Sequence, residues 1–140
     1  MTNKEINKIV NQYYPLISKD YNCDAKVEYH KNIYERLSGI SAKDEEDSYA
    51  EYDWSNNTIY IYTDHLNSEE DILRSLIHEC VHSTQNKQLF DCYYDEGETY
   101  DTHPYEVKAR NAEENWRNYK FAEFDEWISN LVERNGVTEY

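Results

Sequence analysis

Residues 67–84 read NSEEDILRSLIHECVHST, and they carry the strongest helix signals in the chain. Ser68 suits the N-cap of a helix, and the three acidic residues after it suit a first turn, where the macrodipole favours negative charge. Apolar side chains then recur at helical spacing on one side, at Ile72, Leu73, Leu76, Ile77 and Cys80. The pattern predicts an amphipathic helix over residues 68–88 that borders the core.

This helix contains an HExxH motif, His78-Glu79-Cys80-Val81-His82. Four residues advance an α-helix by about 400°, so His78 and His82 lie one turn apart on the same face and can share one metal ion. Glu79 is rotated by about 100° from His78, which lets it reach a water on the metal without being a ligand itself. The motif therefore predicts a zinc site.

A catalytic zinc ion needs a third protein ligand and one open position for water. Residues 103–113, HPYEVKARNAE, predict a helix that opens at Pro104 and carries Glu106 in its first turn. We predict Glu106 as the third ligand, with His103 and Glu113 as alternatives. Glu113 lies about two turns beyond Glu106 on nearly the same face and could hydrogen-bond a metal-bound imidazole, although a solvated carboxylate is the simpler interpretation.

The other patterns predict an α+β fold. No repeat or flexible linker divides the 140 residues, so we predict a single domain over residues 1–140. The elements expected before and after the motif are a helix over 3–19 that Pro15 bends or ends, a strand over 26–30, an acidic loop over 41–48, a hairpin over 49–64 with its turn at 55–57, and a last helix over 124–134.

The charge of the chain excludes several partners. It has 14 basic and 29 acidic side chains, a net charge of −15, and no basic run. Nucleic acids and anionic membranes both attract Lys and Arg, so we expect neither as a partner.

No apolar stretch approaches the ~20 residues of a membrane-spanning helix, and the first residues do not resemble a secretory signal, so we expect a cytoplasmic protein.

The residues of the motif and of the downstream helix resemble a known enzyme family. HECVH, followed after a loop by PYEVKARNAEE, is similar to gluzincin-type zinc metallopeptidases, and Glu106-x-x-Ala109 resembles the small ImmA/IrrE-like peptidases, with SprT-like domains as a looser match. The resemblance covers about residues 50–120. It implies a minimal zincin-like fold, with a small antiparallel or mixed sheet, the hairpin packed on the HExxH helix and further C-terminal helices. It also implies zinc on His78, His82 and Glu106, Glu79 as the general base, and a peptide or protein substrate.

Two features of the site remain open from the sequence. Peptide hydrolysis passes through a tetrahedral intermediate that carries negative charge, and a hydrogen-bond donor to that charge is expected in or beside the loop after the motif. The candidates are Tyr93, Tyr94, Tyr100, His103 and Tyr105. The strand over residues 58–63 could bind an extended peptide at its edge.

The acidic charge supports a second hypothesis, a non-catalytic interaction protein or nucleic-acid mimic that blocks a basic partner. In such a protein any zinc would be structural.

Overall fold

The structure, a computed structural model, describes residues 1–38, 48–122, 128 and 131. Within these residues a three-stranded sheet accompanies six α-helices, which confirms the predicted α+β class. The strands are β1 (Lys26–His30), β2 (Ala50–Asp53) and β3 (Thr58–Tyr62), and the helices are α1 (Asn3–Asp20), α2 (Ile33–Ser38), α3 (Glu69–Ser83), α4 (Lys87–Asp95), α5 (Pro104–Ala112) and α6 (Trp116–Lys120).

Two of the predicted elements lie mostly outside the described residues. The acidic loop over 41–48 lies outside the described residues except for Ser48, and the helix over 124–134 lies outside them except for residues 128 and 131. Among the helices that are described, none is long and apolar enough to cross a bilayer.

The sheet has the strand order β1-β3-β2, with β1 parallel and β2 antiparallel to β3. The predicted hairpin is confirmed, and its turn contains Asn57 at φ 48°, a left-handed conformation that asparagine tolerates. The prediction that the strand over 58–63 offers a free edge is wrong, because β3 is hydrogen-bonded on both sides and buried along its whole length. The hairpin strand that lies at an edge of the sheet is β2.

The core lies between the sheet and helices α1 and α3. Ile59 and Ile61 project from one face of β3, and α1 buries a stripe of side chains against them and against α3, formed by Ile6, Val10, Tyr13 and Ile17. Of the two effects predicted for Pro15, a bend or an end of the helix, the end is wrong, because α1 continues to Asp20. Pro15 and Asn11, whose carbonyl loses its helical donor, are both on the exposed face of α1, where water can satisfy that carbonyl.

The HExxH helix begins where the sequence predicts and ends earlier. The Ser68 hydroxyl accepts a hydrogen bond from the Asp71 N–H at 3.1 Å, which confirms the predicted N-cap. The helix stops at Ser83 rather than at residue 88, because Asn86 caps a separate helix, α4, by accepting a hydrogen bond from the Leu89 N–H at 3.0 Å. The Trp54 indole also donates to the carbonyl oxygen of Gln85, which holds the break in place.

Candidate metal centre

The three polar residues of the motif cluster on α3 at the border of the core. One ligand atom from each of His78, Glu79 and His82 lies within 4.8 Å of the others, and these residues could hold a metal ion. The two imidazole rings lie 4.7 Å apart between centroids, as expected for histidines one helical turn apart. Glu79 and His82 are buried, whereas His78 is half-buried.

Helix α5 brings a carboxylate to the same place. Oε1 of Glu106 lies 2.5 Å from Nε2 of His82 and 3.4 Å from Nε2 of His78. The two helices run antiparallel, since Gln85 bonds to the carbonyl of Tyr105 at the start of α5 while His78 contacts Glu113 at its end. The fully buried Ala109 lies on α5 between these contacts. The residues predicted as ligands therefore meet at one point.

The other ring nitrogen of each histidine has its own partner. Nδ1 of His78 lies 2.7 Å from a carboxylate oxygen of Glu113, and Nδ1 of His82 lies 2.7 Å from the amide oxygen of Gln85. Both partners are acceptors, so each Nδ1 carries a hydrogen and donates it, and in a metal-bound centre the Nε2 lone pair of each ring would be free for the ion. Glu113 is thus not the solvated carboxylate that the sequence favoured, because the antiparallel packing of α5 places it on His78.

Replacing Glu113 with alanine is expected to weaken metal binding by about 10- to 100-fold, because the His78 ring loses the acceptor that orients it. Glutamine at the same position keeps an acceptor and should weaken binding less. Competition with a chromogenic chelator would measure the affinity. The control is Glu114→Ala, since Glu114 contacts Arg74 and not the histidines. Equal affinities of the Glu113 and Glu114 variants would contradict a positioning role.

His103 is the N-cap of α5 and is not directed at the cluster. Its Nδ1 accepts hydrogen bonds from the backbone N–H groups of Tyr105 at 3.1 Å and Glu106 at 3.4 Å. Its Nε2 donates to the carbonyl oxygen of Phe90 at 2.9 Å. Both ring nitrogens are therefore used, and the alternative of His103 as the third ligand is wrong. The residue instead ties α4 to the first turn of α5, which carries Glu106.

The five candidate hydrogen-bond donors have different positions. Tyr94 donates to Oε2 of Glu106 at 3.1 Å, and Tyr93 packs edge-on against His103 and Tyr105. Of the five, only Tyr100 lines the cavity in front of the cluster. Its ring is nearly parallel to that of His78, with the centroids 6.5 Å apart.

A cavity of about 700 Å³ opens in front of the histidines. One wall is the edge strand β2 with Trp54, and the opposite wall is formed by Tyr100 and α5. Glu79 reaches this cavity from a buried position, and its Oε2 has no hydrogen-bond partner among the described residues. Burial raises the pKa of Glu79 above its usual value, because a charged carboxylate loses solvation there.

The ion pairs between α3 and α5 shift the pKa values of two further groups. Burial alone would lower the pKa of His78, but its hydrogen bonds to Glu106 and Glu113 outweigh burial and raise the pKa to about 10. Burial alone would raise the pKa of Glu106, but the hydrogen bonds to His78 and His82 outweigh it and lower the pKa well below the usual range. Without metal, the centre is therefore held together by a protonated imidazole and a carboxylate.

The metal-free protein is expected to lose stability as the pH rises from about 6.5 towards 10. The pKa of His78 is raised on folding, so its contribution is complete below its unfolded pKa of about 6.5 and is lost as the pH passes its folded pKa. The pKa of Glu106 is lowered on folding, so its contribution to stability is lost as the pH falls below about 4.5. Denaturant midpoints in chelator at several pH values would measure the effect. His78→Gln should flatten the slope above pH 6.5, and an unchanged slope would contradict the assignment.

Sequence reasoning missed Gln85 and the contact of Tyr94 with Glu106. Gln85 lies three residues after His82 and bonds its ring, a spacing at which side chains of one helical turn meet, so the helical pattern could have indicated it. Tyr94 reaches Glu106 only because α4 folds back beside α5, and no local pattern signals that contact.

Comparisons of the chain with protein-family models, with curated proteins and with solved structures found no match. What is established is the clustering of His78, Glu79 and His82, which is compatible with an HExxH metal motif.

Proposed function

We propose that this protein is a zinc-dependent metallopeptidase whose active site lies between α3 and α5. The observation that carries the proposal is the position of Glu106, whose Oε1 lies within 3.4 Å of Nε2 on both HExxH histidines. Two imidazoles and one carboxylate are a ligand set that catalytic zinc uses, with a fourth position open to solvent. The cavity in front of them gives that position access to a substrate.

The residues present fit a zinc ion. The two Nε2 atoms and Oε1 of Glu106 converge, and Glu113 and Gln85 orient the rings from behind, as outer partners of metal-bound histidines do. Tyr94 occupies the second oxygen of Glu106, which leaves Oε1 for the metal. Oε2 of Glu79 is buried and has no hydrogen-bond partner among the described residues, so it is available to a water or ligand bound at the centre.

The mechanism assigns each residue a separate task. When bound, zinc supplies Lewis-acid chemistry, lowering the pKa of water towards neutrality and polarising a peptide carbonyl. Glu79 accepts the proton of the attacking water at Oε2 and delivers it to the nitrogen of the leaving amine. Burial raises its pKa, which makes the carboxylate a stronger base towards the proton of the water. Tyr100 donates a hydrogen bond to the carbonyl oxygen of the substrate, and burial raises its pKa so that it keeps the proton.

The substrate binds as an extended peptide along β2. Among the described residues this strand is at the edge of the sheet, and it lines the same cavity as the histidines, so its outer backbone groups can pair with a peptide. Trp54 and Phe90 contact each other and the His82 ring at the end of the cleft, where they offer an apolar surface.

The test is the metal content and activity of the purified full chain. We expect about one zinc ion per chain, cleavage of a degenerate octapeptide pool detected by mass spectrometry, loss of cleavage in chelator and recovery when zinc is returned. A folded protein that holds no metal after zinc loading would contradict the proposal, as would cleavage that chelator does not affect. Binding to a basic partner that survives both chelator and Glu79→Gln would instead favour the acidic interaction protein.

A further inference from the structure

Two arginines line the cavity, and the charge of one of them is compensated within the protein. Arg74 lies one turn before His78 on α3. Its guanidinium lies within 4 Å of three carboxylates, those of Glu70 at 2.8 Å, Glu114 at 3.3 Å and Glu113 at 3.8 Å. Arg74 therefore has little remaining capacity to attract an acidic ligand.

Arg110 is held differently. It lies one turn after Glu106 on α5 and forms no ion pair with any carboxylate in the described part of the chain. Instead, Nη1 donates to the carbonyl oxygen of Tyr100 at 2.6 Å and Nη2 donates to that of Asp101 at 3.0 Å. The guanidinium also lies 4.5 Å from the centre of the Tyr100 ring. Because a guanidinium has five N–H donors, these two bonds fix the side chain without exhausting it.

This arrangement stands out in a chain with 29 acidic and 14 basic side chains. Neutral carbonyl groups orient the Arg110 charge but do not cancel it, so the cavity wall keeps a fixed cation. Guanidinium groups bind carboxylates through pairs of parallel, charge-assisted hydrogen bonds. The net charge of −15 would favour basic peptides at long range, but charges more than about 8 Å apart are largely screened at physiological salt. The cavity is also lined by carboxylates, at Glu51, Asp71, Glu79, Glu106 and Glu113, so Arg110 offers a carboxylate ligand a local binding point in an otherwise acidic lining.

We propose that Arg110 binds a carboxylate of the peptide substrate and thereby selects acidic peptides. This inference rests on the proposed peptidase function. Arg110 lies four residues after Glu106, a rise of about 6 Å along the helix. An extended peptide advances about 3.3 Å per residue, so the selected carboxylate lies within about two residues of the scissile bond. It belongs either to an Asp or Glu side chain or to the C-terminus of the substrate.

The test uses three degenerate octapeptide pools that differ in one feature. The first is blocked at both ends and neutral, the second is blocked and has one internal glutamate, and the third has a free C-terminal carboxylate. We expect the full chain loaded with zinc to cleave the second or the third pool at least about tenfold faster than the first, and the preferred pool identifies the source of the carboxylate. Arg110→Gln should abolish this ratio, and Arg110→Lys should keep part of it.

The matched control is Arg117→Gln, which removes the same charge from α6 outside the cavity and should keep the wild-type ratio. Circular dichroism checks that each variant folds. Equal cleavage of all three pools by the wild type, or an unchanged ratio in Arg110→Gln, would overturn the role of Arg110 and leave the peptidase proposal intact.

If nothing is cleaved, calorimetry can measure the binding of the same pools to Glu79→Gln. This measurement tests the role of Arg110 separately from the peptidase function. Tighter binding of a carboxylate pool that disappears in the Glu79→Gln, Arg110→Gln double variant would support the role of Arg110 even if hydrolysis fails. Equal binding of all pools, or no binding at all, would overturn it.

Discussion

Replacing Glu79 with glutamine is expected to lower kcat by about 10²- to 10⁴-fold and to leave the zinc content unchanged. Glutamine has nearly the same shape but cannot accept the proton of the attacking water. The metal should remain, because the proposed ligands are His78, His82 and Glu106. Initial rates on the peptide pools and elemental analysis of the same samples would measure both parts. The matched control is Glu114→Gln, which changes a carboxylate outside the cavity.

The stability of the Glu79 variant distinguishes lost chemistry from lost folding. Because burial raises the pKa of Glu79, its ionisation costs free energy in the folded protein above its unfolded pKa of about 4.5. The metal-free Glu79→Gln protein should therefore be at least as stable as the wild type at neutral pH. Activity close to that of the wild type would rule out Glu79 as the general base, whereas low stability together with low activity would make the kinetic result uninformative about the proton transfer.

Replacing Glu106 with glutamine is expected to weaken zinc binding by more than about 100-fold. Loss of an outer partner of a metal-bound histidine typically costs 10- to 100-fold in affinity, and a direct ligand should contribute more. The variant removes the charged oxygen that lies 2.5 Å from His82 and 3.4 Å from His78. Competition with a chelator of known affinity would measure the change, and Glu114→Gln again serves as the control.

A second measurement on the Glu106 variant does not involve metal. The Glu106 carboxylate is one of the groups that hold the pKa of His78 above its usual value against the effect of burial. In the metal-free Glu106→Gln protein, the pKa of His78 should therefore fall, and nuclear magnetic resonance of the imidazole protons as a function of pH would follow it. Zinc binding as tight as in the wild type, with the same pKa of His78, would show that Glu106 is not part of the centre.

The sequence predicted much of the local structure because local signals there agree with the tertiary structure. Ser68 and Pro104 start α3 and α5 where expected, and the strand at residues 26–30 matches β1. The errors fall where neighbours in space override a local pattern. The predicted helix runs to residue 88, but α3 ends at Ser83 and Asn86 caps the next helix. Pro15 predicts a bend or an end of α1, but the helix continues to Asp20, because the exposed side of the helix tolerates the missing hydrogen bond.

The HExxH spacing is enough to place His78 and His82 on one face of a helix, because the 3.6-residue period leaves no other arrangement. Which later residues join them depends on how α5 packs against α3. Glu106, His103 and Glu113 were all plausible partners from spacing along the chain, and the antiparallel packing of α5 on α3 gave them different places. Glu106 meets the ring nitrogens, Glu113 supports His78 from behind, and His103 caps the helix. Helical spacing describes one element only, whereas a metal centre needs the relative position of two, which packing of the core sets.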